Sequence, residues 1–419
     1  MKTSNFKFQI IIFILLIILA FRFFLFYRNQ PQYQDGQRVS FKTTLLKEPQ
    51  NFGRYQRFTA NINPSQEVFI TVPAFSQLHY GDTLNITGTL KERVIGKNKT
   101  IITMSYPKIE KIEGNKNFLL SISSFIRQKA TLLFEKSLPP TSASLLLGIV
   151  FGIKETMPKD FTESLRISGV FHVVAASGMN VTLVGGFLSS VFGFFLKRQI
   201  AIIASIAGIG LYAVMAGLDP PIVRASIMGI VVFTAQLIGR QTLGAYGLFL
   251  SGFVMLFFSP NLIFDIGFQL SFLATFGLLF IRPVLEHRGK VKKFIEKSII
   301  GEGVVTTIAA QTATLPILVG NFGTYSLWSI VVNGLVLWTI PALMIIGSVA
   351  VLFGMILPES GQLISYAALP FLLYFEKIIM FFGKIGGVVA LEDIPWQFIV
   401  GYYCILLAFI FALKRRSKA

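Results

Sequence analysis

The sequence predicts a polytopic α-helical membrane protein carrying a small all-β domain, an OB-like barrel, on the extracytoplasmic side. Three observations lead there. Of the 419 residues, 53% are hydrophobic and only 14% charged, with a mean hydropathy of +0.67, whereas a soluble chain carries about 25% charged residues. Apolar runs of bilayer-crossing length recur along most of the chain. Between the first run and the rest, residues 30–117 regain charge and alternate polar with apolar positions. This composition excludes an ordinary cytosolic enzyme and a disordered chain. The single cysteine, Cys404, excludes a disulfide framework and a cysteine-based metal site, so no cofactor is expected.

Residues 1–29 read as an N-terminal transmembrane helix. Its apolar run, 8–27, follows Lys2 and Lys7, and no small-residue cleavage site comes after it: Arg28-Asn29-Gln30-Pro31 is not one. The helix is therefore expected to be retained, with its N-terminus inside.

Residues 30–117 read as the barrel. Strands are expected at Arg38–Leu46, Arg57–Ile62, Glu67–Val72, Thr83–Leu90 and Thr100–Ile112, separated by Asn63-Pro64, Tyr80-Gly81-Asp82 and Gly96-Lys97-Asn98. Five short strands suit a small OB-type barrel. Its twelve basic residues outnumber its seven acidic ones. Such barrels bind single strands through basic grooves and aromatic platforms. Arg54, Tyr55, Arg57, Lys91 and Arg93 are the candidate contacts. Phe52, Phe58, Phe69, Phe75 and Tyr80 are either further platforms or filler of the core.

Residues 118–140 read as an amphipathic surface helix and linker, with Arg127 and Lys129 interrupting the apolar face. Residues 141–419 form the multi-helix membrane domain. Leu145–Ile153 is too short to span. Apolar runs then cover about 167–196, 199–218, 222–239, 243–258, 262–281, 303–320, 326–357, 362–388 and 396–413.

Loop charge sets the expected topology. Lys197-Arg198, Arg240, the stretch 282–297 (which also holds His287) and the tail Lys414–Lys418 are basic. The loops at Asp219-Pro220-Pro221, Ser259-Pro260-Asn261 and Asn321–Tyr325 carry almost no cations. By the positive-inside rule both termini are cytoplasmic and the barrel lies outside. An inside tail requires 326–357 to cross once, as one long helix kinked at Pro341. The net charge of +18 is accounted for by basic loops, and it also suits a polyanion.

Polar groups at membrane depth are costly and face protein or a water-filled path. His172, Ser177 and Asn180 interrupt a run too long for one straight span, and Ser177-Gly178 is the expected break. The competing reading is a small-residue packing contact with a satisfied histidine. Arg224 follows Asp219-Pro220-Pro221 at a helix start, expected at the outer mouth, where it pairs with Asp219 or receives a phosphate. Asp265 and Gln269 share a helical face, with Ser271 close by; Gln311 leads a further polar stretch before Pro316.

Four of these segments carry a resemblance. Phe171–Thr182 resembles the H-(L/V)-(L/V)-A-x-S-G-x-(H/N)-(V/I) segment of the ComEC competence proteins. Pro221–Met228 resembles that family's P-x-x-R-A-x-x-M, and Asp265–Gly277 its D-x-G-F-Q-L-S-F-x-A-T-x-G. Ala310–Pro316, with Phe322-Gly323, Ser326 and Asn333 following, is similar to the next family segment. The order is preserved over about 140–345, and Gly81-Asp82 and Gly88 resemble the family's small external domain.

The resemblance implies a bacterial inner-membrane channel that passes single-stranded DNA into the cytoplasm during natural transformation. It carries over His172, Ser177, Gly178, Asn180, Arg224, Asp265, Gln269 and Ser271 as path residues. It implies an external DNA receptor, a cytoplasmic helicase with a single-strand-binding protein, and a lipid bilayer as partners. Two departures matter. No His-x-His-x-Asp-His pattern occurs, so a short form without the metallo-β-lactamase-like domain is expected, with a separate nuclease degrading the other strand. Asn180 stands where many relatives have histidine, which argues against a proton relay there. No Walker A loop supplies energy.

Two other classes remain. A small-molecule transporter would use the same polar stripes and broken helices. An intramembrane serine protease would need a base placed for Ser177, and His172 on the same segment is poorly placed. The external basic barrel favours the DNA conduit.

Overall fold

A computed structural model of the chain describes residues 2–29, 33–63, 66–76, 78–95, 99–112, 118–174, 177–241, 243–286, 301–391 and 395–416. The end of the basic stretch, including His287, and the tip of the tail lie outside these residues. The chain forms two compact units, 1–126 with 249–264, and 127–248 with 265–419.

In the first unit, helix α1 (Lys2–Arg28) has 27 residues. At 1.5 Å per residue it is about 40 Å long, enough to cross a bilayer. Phe13, Phe21 and Phe24 point away from the protein, as on a lipid-facing helix. Arg22, inside this apolar run, donates from Nε to the Phe257 carbonyl at 3.2 Å.

Among its described residues the β domain has eight strands rather than five: β1 (Arg38–Thr44), β2 (Gln50–Asn51), β3 (Tyr55–Asn63), β4 (Gln66–Pro73), β5 (Thr83–Thr89), β6 (Lys91–Ile95), β7 (Lys99–Ser105) and β8 (Lys108–Lys111). The expected strand Thr100–Ile112 is split because Tyr106 adopts φ 50° and Pro107 has no N–H to give a ladder. Two sheets result, ordered β1-β5-β8 and β2-β3-β4-β7-β6. All ladders are antiparallel except β4 with β7, which is parallel. Phe58, Val68, Ile70, Leu84, Ile86 and Met104 fill one core between the sheets. Gly88 permits that closeness: a Cβ there would lie 2.6 Å from Met104 Sδ and 2.9 Å from Pro107 Cβ.

Helix α2 (Phe118–Ser137) buries Ala130, Leu133 and Phe134 and exposes Lys129, Glu135 and Lys136, as an amphipathic helix does, but it also buries polar groups. Ser123 and Arg127 are buried, while Phe125 and Leu132 are exposed. Arg127, expected to break the apolar face of a surface helix, instead donates from Nη1 to the Met215 carbonyl at 2.6 Å. That carbonyl ends the helix Arg198–Met215, where intrahelical donors have run out.

The second unit holds α3 (Pro140–Phe151), α4 (Lys159–Ile167), α5 (Phe171–Val174), α6 (Gly178–Phe195), α7 (Arg198–Met215) and α8 (Pro220–Leu237). After α9 (Gly244–Phe258) come α10 (Ile266–Phe276), a π-helical turn (Gly277–Ile281) and α11 (Arg282–Glu286). Then follow α12 (Gly301–Phe322), β9 (Thr324–Ser326), α13 (Ser329–Val336), α14 (Thr339–Ile356), α15 (Pro358–Tyr366), α16 (Leu369–Ile385), β10 (Val388–Ala390) and α17 (Trp396–Arg416).

Among the described residues six segments are long and apolar enough to span: Phe171–Phe195, Arg198–Met215, Pro220–Leu237, Ile266–Glu286, Gly301–Phe322 and Thr339–Ile356. The pair α15 and α16, bent by 48°, makes a seventh if it crosses once. The single helix expected over 326–357 is instead two. The break falls before Thr339, which puts Pro341 in the first turn of α14, where its missing N–H has no partner to lose. Helix α3 is apolar on all sides and buried from Ser142 to Phe151, so it is a core helix enclosed by others.

Candidate functional site

The long run at 167–196 is interrupted as its sequence requires. Helix α5 ends at Val174 and α6 starts at Gly178, with Ser177 extended at φ −109° and ψ 167°. Ala175 and Ala176 lie outside the described residues. Ser177 Oγ donates to Asn180 Oδ1 at 3.1 Å, and Asn180 Nδ2 donates to the Ile149 carbonyl at 2.9 Å. Ile149 lies in the last turn of α3, whose carbonyls lack intrahelical donors. A carboxamide accepts at one atom and donates at the other, so Asn180 can join the break to the end of the core helix. His172, on the short helix before the break, is exposed, while its neighbours Val173 and Val174 are buried.

Arg224 joins three segments. It lies on α8, is 7% exposed, and donates from Nη1 to the Ser271 carbonyl and to Thr275 Oγ1 on α10. Its Nη2 rests against α6, where a Cβ on Gly178 would stand 2.5 Å away. Among the described residues Arg224 has no carboxylate partner, and its buried Nε finds no acceptor. A buried guanidinium without a counter-charge is costly, and an anion is what would relieve it.

Asp265 does not reach Arg224. It caps α10, its Oδ1 accepting from the Phe268 N–H at 2.7 Å. Gln269 is half-buried one turn further along the same helix. Ser271 acts through its backbone carbonyl, and its own buried hydroxyl has no partner among the described residues. Thr275 was not among the candidates. Its spacing of four from Ser271 is the signal that would have found it.

Gln311 anchors a second node. Its Nε2 donates to Ser329 Oγ at 2.8 Å, and its Oε1 accepts from Tyr325 Oη at 2.9 Å. Gly169, at φ 76°, backs onto that node; a Cβ there would fall 2.5 Å from Ser329 Cβ and 3.0 Å from Ser326 Cβ. Pro316, inside α12, cannot donate to the Thr312 carbonyl one turn back. Tyr402 Oη on α17 makes that bond at 2.7 Å, and Tyr403 Oη donates to the Ala313 carbonyl at 3.0 Å.

The β domain offers a separate surface. Ladder partners place Lys91, Thr103, Phe69 and Thr59 in one row on the outer face of the five-stranded sheet, with Arg57 and Arg93 one pleat away on that face. Arg57 stands at one side and Lys91 with Arg93 at the other, about 14 Å apart at the usual strand spacing. Arg57 lies 5.6 Å from both the Phe52 and Tyr55 ring centroids, and those rings stack at 5.2 Å. Arg54 is in the turn before β3. None of Arg54, Arg57, Lys91 and Arg93 forms an ion pair with a described residue, although Glu67 shares their face. Lys108, by contrast, is paired with Glu110 at 2.8 Å, which holds the Glu110 carboxyl below its usual range. The aromatic candidates divide: Phe58 and Tyr80 are buried, Tyr55 and Phe69 half-buried, Phe52 40% and Phe75 94% exposed.

The Competence protein family matches residues 149–416, which contain the break, Arg224, its α10 partners and Gln311. The chain belongs to that family. The resemblance of the four motifs to ComEC competence proteins is thereby borne out, and with several spanning helices the chain is a multi-pass membrane protein of the competence family. It is 27% identical over 231 residues to ComE operon protein 3 of Bacillus subtilis (strain 168), covering 55% of this chain and 28% of that protein. It is 26% identical over 255 residues to an uncharacterized protein of Aquifex aeolicus (strain VF5), covering 60% of this chain and 56% of that one. The chain thus matches only part of the length of each relative. No solved structure matches.

Proposed function

We propose that this competence-family protein is a bacterial inner-membrane channel component that passes single-stranded DNA into the cytoplasm during natural transformation. The observation that carries the reading is the buried Arg224 without a carboxylate, set against the broken helix at Gly178. A moving phosphodiester would meet that charge beside the break, with the exposed His172 on the helix before it. Ser177, Asn180, Asp265, Gln269, Ser271 and Gln311 position the helices around it. Arg54, Tyr55, Arg57, Lys91 and Arg93 of the β domain, placed outside by loop charge, take up the incoming strand by charge and stacking. Both termini face the cytoplasm. Partners in this reading are an external DNA receptor, a helicase motor and a separate nuclease; the chain itself performs no catalysis.

The test is entry of labelled DNA into the cytoplasm of cells deleted for this gene, complemented with wild type or Arg224→Ala. Surface-bound DNA that no longer enters, restored by wild type and not by a membrane-located Arg224→Ala, supports the channel. Unchanged entry in the deletion overturns it and leaves the transport of a small molecule.

A further inference from the structure

Phe171 holds two cations that have no acid to pair with. Lys154 Nζ lies 5.9 Å and Arg166 Cζ 5.4 Å from its ring centroid. Among the described residues neither forms an ion pair. Glu155, next to Lys154, accepts instead from the Lys154 backbone N–H at 2.9 Å. Asp160 and Glu163, on the same helix as Arg166, make no ion pair with it. Arg166 is exposed and Lys154 half-buried.

Both cations sit at helix ends. Lys154 follows the left-handed cap of α3 at Gly152, φ 71°, and Arg166 lies in the last turn of α4. Each cation is therefore near a helix C-terminus, whose partial negative charge favours it. An aromatic face adds a further attraction. These two devices hold positive charge without neutralising it. A carboxylate in either place would compete with any incoming anion, whereas a ring and a helix end do not. Phe171 opens α5, the short helix that precedes the break at Ser177, so the pair stands beside the broken helix.

We infer that Lys154 and Arg166, splayed on Phe171, form a phosphodiester-binding subsite that receives the DNA strand ahead of Arg224. The inference rests on the channel reading above. Helix α6, 18 residues and about 27 Å long, ends next to the basic Lys197-Arg198, so its Gly178 end and the break beside Phe171 belong to the opposite side in the channel reading. Reversible capture suits the subsite: each contact to a single strand contributes a salt-dependent increment and releases readily.

The experiment measures binding of a fluorescent oligothymidylate to the full-length protein in lipid nanodiscs over a salt series. The comparison is wild type, Lys154→Gln with Arg166→Gln, the charge-keeping Lys154→Arg with Arg166→Lys, and Phe171→Leu. Loss of two contacts lowers the slope of log affinity against log salt by about 1.4 and weakens binding roughly tenfold at physiological salt. The charge-keeping swap retains the wild-type slope. Phe171→Leu leaves both charges in place and gives a smaller loss. A double Gln variant with wild-type slope and affinity overturns the inference while leaving the channel intact. So does a loss seen only as weaker retention of anionic phosphatidylglycerol, which would assign the cations to lipid. Wild type that binds no oligothymidylate overturns the channel reading and this inference together.

Discussion

Gly178 and Arg224 occupy one another's space: Nη2 of the arginine fills the position a Cβ on residue 178 would need, 2.5 Å away. Glycine at the start of α6 is thus what lets a guanidinium reach the break. Gly178→Ala is expected to displace Arg224 and abolish DNA entry while the protein still reaches the membrane. Gly186→Ala, on the same helix with no atom within 4 Å of its added Cβ, should leave entry intact. Entry of labelled DNA in complemented cells, with membrane levels by immunoblot, checks both.

Thr275→Val keeps the shape of α10 and removes one acceptor from Arg224, leaving the Ser271 carbonyl. The expected cost is about 0.6–2 kcal/mol of stability, the range for interhelical polar contacts in membranes. Thermal unfolding in detergent micelles gives the number. An unchanged midpoint would remove Thr275 from the node.

Pro316 and Tyr402 are expected to be coupled. With proline at 316, Tyr402→Phe leaves the Thr312 carbonyl without its donor. Pro316→Ala restores an N–H to α12, so Tyr402→Phe should then cost little. A double-mutant cycle should show a coupling of about 1 kcal/mol. Additive effects would mean that the tyrosine is not replacing the missing helix bond.

Arg57→Gln and Arg93→Gln remove cations from opposite sides of one sheet face. If a single strand crosses that face, each lowers the salt slope of oligonucleotide binding by about 0.7. Lys108→Gln should change nothing, because Glu110 already holds that lysine.

Hydropathy and loop punctuation made the helical body and the break at Ser177-Gly178 legible, since an apolar run too long for one span with a Ser-Gly inside it has few physical solutions. The strand pair 99–105 and 108–111 was read as one strand because alternation continues across Tyr106; only the left-handed backbone there separates them. Arg224 was legible as a residue but not as a buried one. Its depth depends on a glycine 46 positions earlier and a threonine 51 later, contacts that no local pattern encodes. Phe171 with its two cations was hidden for the same reason, being assembled from three separate segments.

The Tyr402–Thr312 bond also sets an order of biogenesis. The two residues are 90 positions apart, so α12 enters the bilayer with an open carbonyl well before its donor is synthesised. At ribosomal speeds the wait is on the order of ten seconds. During it the helix is a provisional passenger, able to tilt or slide until the last helix docks. A chain stalled in that interval would keep an unpaired backbone carbonyl at membrane depth, a cost that the finished fold removes.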